Sequence, residues 1–112
     1  MPYLSVRAGM PVSGGTADLL QKEIGRLIET LPGKNIDNCI TEIMGDCNMY
    51  VSGKQANAVF CEVRLYKPAP ADCKKRFSEA MHALFIEQLK AGKVYINILE
   101  FEHWCADGDY LT

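Results

Sequence analysis

The chain has 112 residues, 48% of them hydrophobic and 23% charged, with a formal net charge of −2. That length fits one domain spanning 1–112 and hardly two, and the apolar fraction is ordinary for a globular protein, which argues against disorder. The near-zero charge argues against a nucleic-acid partner, because the densest basic run, Lys74-Lys75-Arg76, falls in a helical pattern and reads as a solvated face.

Tyr3 to Ala8 alternates Tyr3, Ser5, Arg7 against Leu4, Val6, Ala8, which predicts a strand. Gly9 to Gly15 is a loop. Thr16 is the expected N-cap of a first helix, with Asp18 in its first turn. Leu20, Ile24, Leu27, Ile28 and Leu31 recur at helical spacing, and Pro32-Gly33 stops the pattern. Cys39 to Met44 is a second strand, Gly45 to Asn48 a turn, and Met49 to Val51 a short extended piece before a turn at Ser52-Gly53-Lys54. Ala58 to Tyr66 is the strongest strand and is nearly continuous in apolar character, as in a strand covered on both faces. A second helix begins at Ala71-Asp72, carries Phe77, Ala80, Met81, Leu84, Phe85 and Leu89, and is expected to close at Gly92 as its C-cap. Val94 to Glu102 is a long strand, and His103 to Thr112 reads as a tail with a lone Trp104.

The order is β-α-β, a short β, then β-α-β again. The two halves, 2–44 and 58–102, each hold strands separated by about 36 residues, one βαβ crossover unit. Two such units side by side give an α+β fold: a four-stranded sheet with both helices on one face. The other face then lacks a cover, and the strands Ala58–Tyr66 and Val94–Phe101 are apolar enough to need one. Either the tail or another subunit must supply it. A chain this short buries only about two-thirds of its unfolded surface by itself, so assembly is expected.

No apolar run approaches the roughly 20 residues that span a bilayer, and the first residues lack the basic and apolar regions of a secretory signal. The expectation is a cytoplasmic protein without a membrane partner, leaving export open only to a route that uses no signal peptide. Five cysteines (Cys39, Cys47, Cys61, Cys73, Cys105) without C-x-x-C spacing argue for reduced thiols. His82 and His103 are too few and too scattered for a metal site.

Pro2 follows the initiator directly. Methionine is normally removed before so small a residue, leaving a free proline whose nitrogen is a secondary amine at the start of a strand. An α-amino group ionises near 8; burial and a nearby cation each lower that value, so the amine can be neutral at pH 7. A neutral amine near pH 7 is a well-matched general base. A proline at a strand start is also ordinary structure.

The sequence resembles the macrophage migration inhibitory factor family of the tautomerase superfamily over nearly its full length. The carriers are Met1-Pro2 opening an alternating strand, Pro32-Gly33-Lys34 after the first helix, Met49 through Gly53, Ala58-Val59-Phe60-Cys61, Lys93-Val94-Tyr95-Ile96-Asn97, and Trp104. The resemblance implies a homotrimer with its sheets wrapped into a central barrel. It also implies cofactor-free keto–enol tautomerase activity on phenylpyruvate-like α-keto acids, with the active site between subunits. By this likeness Pro2 is the catalytic acid and base. Lys34 is either a cation that holds the substrate carboxylate or a lysine answering the helix dipole. Tyr95 and Asn97 match residues that line the pocket from a neighbouring subunit, and Trp104 matches an aromatic rim, although it stands closer to Asn97 than the family's usual spacing.

The chain also departs from the family. Tyr66 and Lys67 stand where smaller residues are usual; Tyr66 would narrow the pocket, and Lys67 is either a second carboxylate-binding cation or an ordinary strand-end lysine. Ala58 replaces the first cysteine of the family's Cys-x-x-Cys, so thiol-redox activity is not supported. The competing readings are a non-catalytic, cytokine-like or small-molecule-binding trimer on the same fold, and an unrelated ferredoxin-like regulatory domain that shares only the duplication.

Overall fold

A computed structural model describes residues 2–111; Met1, whose removal the sequence leads one to expect, and Thr112, the end of the tail, lie outside the described residues. Strand β1 (Pro2–Ala8) is followed by α1 (Gly14–Ile28) and a 3-10 turn at Ile36–Asn38, then β2 (Ile40–Met44), β3 (Tyr50–Val51), β4 (Lys54–Gln55) and β5 (Ala58–Tyr66). Helix α2 (Ala71–Leu89), β6 (Lys93–Phe101), β7 (Trp104–Ala106) and β8 (Asp109–Leu111) complete the order.

The main sheet has the order β2-β1-β5-β6. The pairs β1–β2 and β5–β6 are parallel, and β1 meets β5 antiparallel. Each βαβ unit thus contributes one parallel pair, and the units join edge to edge through β1 and β5. Alternation then sorts the side chains. Leu4, Val6 and Ala8 of β1, and Val59, Cys61, Val63 and Leu65 of β5, point to the helix side and are buried. They pack with Leu20, Ile24 and Ile28 of α1 and Phe77, Met81 and Phe85 of α2 in one core cluster.

The opposite face carries no helix. Ile40, Phe60, Tyr95, Leu99 and Phe101 are exposed there, in register with Tyr3, Arg64 and Asn97. The expectation of an uncovered face holds, but its character is mixed. Glu62 and Arg64 form a 2.6 Å ion pair in the middle of β5, so that strand is apolar on its helix side and amphipathic on the other.

Three local expectations are corrected. Helix α1 starts two residues earlier than Thr16, because the Ser13 hydroxyl is the N-cap and accepts from the Thr16 N–H at 3.1 Å; Asp18 falls outside the first turn. Helix α2 is capped by Lys90, which takes the left-handed conformation (φ 53°), while the Gly92 N–H donates to Asn57 O at 2.8 Å just ahead of β6. The tail is a β7–β8 hairpin. Its two central residues, Asp107 (φ 47°) and Gly108 (φ 92°), both have positive φ, as a tight primed turn demands.

Gly25 explains how α1 reaches the site. A Cβ there would lie 2.2 Å from the Ile36 side chain, so the missing side chain lets the turn at Ile36–Asn38 sit against the helix. Among the described residues, no helix is long and apolar enough to cross a membrane.

All five cysteines are free thiols. Burial and the neighbouring Glu62 charge push the Cys61 thiol up to about 12 from the ordinary 9.0. The unfolded thiol ionises first, so this burial contributes its full stability below pH 9 and loses it as pH rises toward 12. A thiol reagent at pH 8 is expected to label the exposed Cys105 and to leave Cys61 unreacted until denaturant is added; equal labelling rates measured by mass spectrometry would contradict this burial.

Candidate active site

The site is built at the end of the sheet where β1 begins. Pro2 is buried and is paired with Leu65 of β5. The parallel β1–β2 pairing sets Tyr3 beside Ile40 and so brings the Ile36–Asn38 turn against the strand start. A cleft of about 300 Å³ opens there, with Pro2, Asp37, Cys39 and Asp107 among its lining residues and Trp104 at its edge. Trp104 and Ile40 also border a neighbouring cleft of about 460 Å³ with Tyr3 and Phe101 as aromatic walls and Arg64 as its cation.

Lys34 is buried, at 9% exposure. Its ammonium donates to the Tyr66 carbonyl at 2.7 Å and to the Lys67 carbonyl at 3.2 Å. Burial pushes this lysine below its usual range; the Glu100 carboxylate opposes the shift and Lys67 adds to it. Lys34 is therefore tied to the end of β5, one residue past the Leu65 that pairs with Pro2. With two of its three N–H groups occupied, it has one left for a ligand.

Tyr66 is half-buried and its ring lies 6.5 Å from that of Trp104. Phe101 meets Trp104 edge-on at 6.2 Å. The β7–β8 hairpin is thus fastened to the sheet by an aromatic trio at the cleft mouth. Lys67 is exposed, has a left-handed backbone (φ 69°), and holds its ammonium 5.3 Å above the Tyr66 ring. Among the described residues, it forms no ion pair.

Five of the seven site residues named from sequence therefore gather at one end of the sheet: Pro2, Lys34, Tyr66, Lys67 and Trp104. Tyr95 and Asn97 do not join them. Tyr95 is opposite Phe60 and Asn97 opposite Glu62, whereas Pro2 is level with Leu65. Five residues along a strand put Tyr95 about 17 Å from that level. Tyr95 instead borders a separate cleft with Met49, Val51 and Phe60. Asp37, Cys39 and Asp107 were not singled out from the sequence. Asp107 carried a readable signal in the Asp-Gly dipeptide that predicts a hairpin, but its approach to Pro2 arises only from the strand order.

This arrangement of strands, helices and hairpins is shared with solved proteins. Macrophage migration inhibitory factor 2 of Leishmania major superposes with a TM-score of 0.91 at 16% identity, covering 99% of this chain and 97% of its own. The chain has the fold of the macrophage migration inhibitory factor family. The family's homologue from Prochlorococcus marinus is 20% identical over 98% of this chain and 99% of its own, with a TM-score of 0.78. A member of the cis-3-chloroacrylic acid dehalogenase family, N1, matches at a TM-score of 0.84 and 12% identity, over 98% of this chain and 83% of its own. No protein-family model and no curated protein sequence matches the chain.

Proposed function

We propose that this chain is a cofactor-free keto–enol tautomerase acting on phenylpyruvate-like α-keto acids, as a homotrimer, with Pro2 as general acid and base once Met1 is removed. The observation that carries this reading is the position of Pro2: buried, held in register with Leu65, and opening on a cleft with Trp104 in its lining, at the sheet end where Lys34 is tied to the Tyr66 carbonyl. The aromatic cleft next to it, walled by Tyr3, Phe101 and Trp104, has the character a phenyl ring requires.

The mechanism follows from the placement of charge. A substrate carboxylate is held by the exposed Lys67 ammonium and by the remaining N–H of Lys34. The neutral Pro2 amine removes the proton from C3 of the keto form, and the electrons move to the carbonyl oxygen as the enolate develops. The proton held on Pro2 is then delivered to oxygen to give the enol, and the sequence runs backward for ketonisation. Burial disfavours a positive charge on Pro2, which keeps the free amine available. Tyr95 and Asn97 cannot serve Pro2 of their own chain; in the trimer they line the pocket of a neighbouring copy, and the uncovered sheet face supplies the surface along which copies join.

Replacing Lys67 by alanine is expected to raise KM for phenylpyruvate about tenfold and to leave kcat within about threefold, since a charge-assisted bond to the carboxylate is lost in ground and transition states alike. Initial-rate measurements of enol-to-keto conversion check this. An unchanged KM would remove Lys67 from carboxylate binding.

A further inference from the structure

Glu100 holds an unusual place for a carboxylate. Along β6 the helix-side positions are Val94, Ile96 and Ile98, and Glu100 continues that row. It is level with Leu65, and Leu65 is level with Pro2, so the carboxylate lies at the same end of the sheet as the candidate site. Glu100 itself is exposed, at the open end of that row. Glu100 is partnered by the loop that follows β5 and by helix α2. Its Oε2 accepts from the Ala69 N–H at 2.7 Å and from the Lys74 ammonium at 3.0 Å. The Ala69 bond holds this carboxyl below the usual range; burial opposes it, and Lys74 and Lys34 add to it.

The loop so held is the one that seats Lys34. Its Tyr66 and Lys67 carbonyls accept from the Lys34 ammonium, and the Lys67 N–H donates to the Phe101 carbonyl at 2.9 Å. Between these ties, Lys67 is kept in the left-handed region, which a side chain with a Cβ adopts only under constraint. Ala69 is 7% exposed, so its N–H has little access to water if the carboxylate is removed. The bond from Glu100 thus fixes the far side of the turn whose near side presents two carbonyls to Lys34.

We propose that Glu100 is a positioning residue: through the Ala69 N–H, with Lys74 steadying the carboxylate, it holds residues 66–69 in the shape that seats Lys34 and sets the Lys67 ammonium over the Tyr66 ring. Its catalytic consequence rests on the tautomerase reading; its structural consequence does not.

The test compares Glu100→Ala with Glu100→Gln, because glutamine still offers an oxygen to the Ala69 N–H. Two readouts are taken on the full chain: KM and kcat for phenylpyruvate, and the NMR signal of the Lys34 ammonium in lysine-labelled protein. Glu100→Ala is expected to raise KM about tenfold with kcat within about twofold, and to broaden the Lys34 signal; Glu100→Gln is expected to keep that signal and to stay within about threefold in KM. Unchanged KM and an unchanged signal in Glu100→Ala would overturn the assignment. Equal damage in both variants would also overturn it, since charge and not the Ala69 bond would then be at work. If the wild-type chain shows no tautomerase activity, the functional reading falls and the Lys34 signal alone decides Glu100. If Glu100→Ala does not fold, Lys74→Met replaces it: a KM raised about threefold supports the role, and an unchanged KM contradicts it.

Discussion

A chain carrying one added alanine ahead of Pro2 is expected to lose about a thousandfold in kcat/KM for phenylpyruvate tautomerisation. The addition leaves the Pro2 ring in place and changes only its nitrogen, which passes from a secondary amine to a tertiary amide. An amide nitrogen neither accepts nor delivers a proton at neutral pH. Folding is expected to be unaffected, because the buried Pro2 ring keeps its place opposite Leu65. Circular dichroism and thermal melting check that point alongside the rate. A Pro2→Gly chain keeps a free amine at the same place but loses the ring that holds it, so its expected loss is smaller, about a hundredfold. The order of these losses distinguishes a proton-shuttling nitrogen from a proline that merely packs. If the extended chain kept its activity, the base would have to be sought elsewhere in the cleft, with Asp37 and Asp107 as the carboxylates at hand.

The second large effect concerns the sharing of the site between copies. Along β6, Tyr95 lies five residues and Asn97 three residues from Glu100, which is at the level of Pro2. A Tyr95→Ala/Asn97→Ala chain is expected to lose about a hundredfold in kcat/KM, because it withdraws a wall and a hydrogen-bonding group from the pocket of a neighbour. Copies with an alanine added ahead of Pro2 are impaired more deeply, by about a thousandfold. When the two kinds of copy are refolded together, some sites combine an intact Pro2 from one with an intact Tyr95 and Asn97 from the other. In a cyclic trimer with random mixing these make up about a quarter of all sites. Activity is therefore expected to recover to about a quarter of the unmodified level, far above either parent. A mixture no more active than its parents would mean that β6 contributes nothing to the pocket of a neighbouring copy.

The parts of the fold that were legible in sequence are those with a strong period. Alternation in Tyr3–Ala8 and the apolar stripe from Leu20 to Leu31 were sufficient to place β1 and α1, and the repeated βαβ spacing was sufficient to expect both helices on one face. Features decided by single hydrogen bonds were less legible. Ser13 and Thr16 are equally good caps by type, and only the geometry of the first turn selects Ser13. The β7–β8 strands have three residues each, too few for a period, so Asp107-Gly108 was their sole signal. In the candidate site, residues near one another in sequence were found together, as with Tyr66 and Lys67. Asp37, Asp107 and Glu100 were missed because their approach depends on strand order and register, which bring distant segments to one sheet end. The mixed polarity of the uncovered face was missed for a related reason: Glu62 and Arg64 look like interruptions of an apolar strand until alternation puts them together on one side of β5.

The central claim is that a free Pro2 amine moves a proton at C3 of an α-keto acid. It is tested most directly by following the C3 protons of phenylpyruvate in deuterium oxide by proton NMR, with chain whose intact mass shows that Met1 is gone. The protein is expected to accelerate exchange of those protons at least about a hundredfold over buffer, and the acceleration is expected to vanish when one residue is added ahead of Pro2. Exchange at the buffer rate with the Met1-free chain would contradict it.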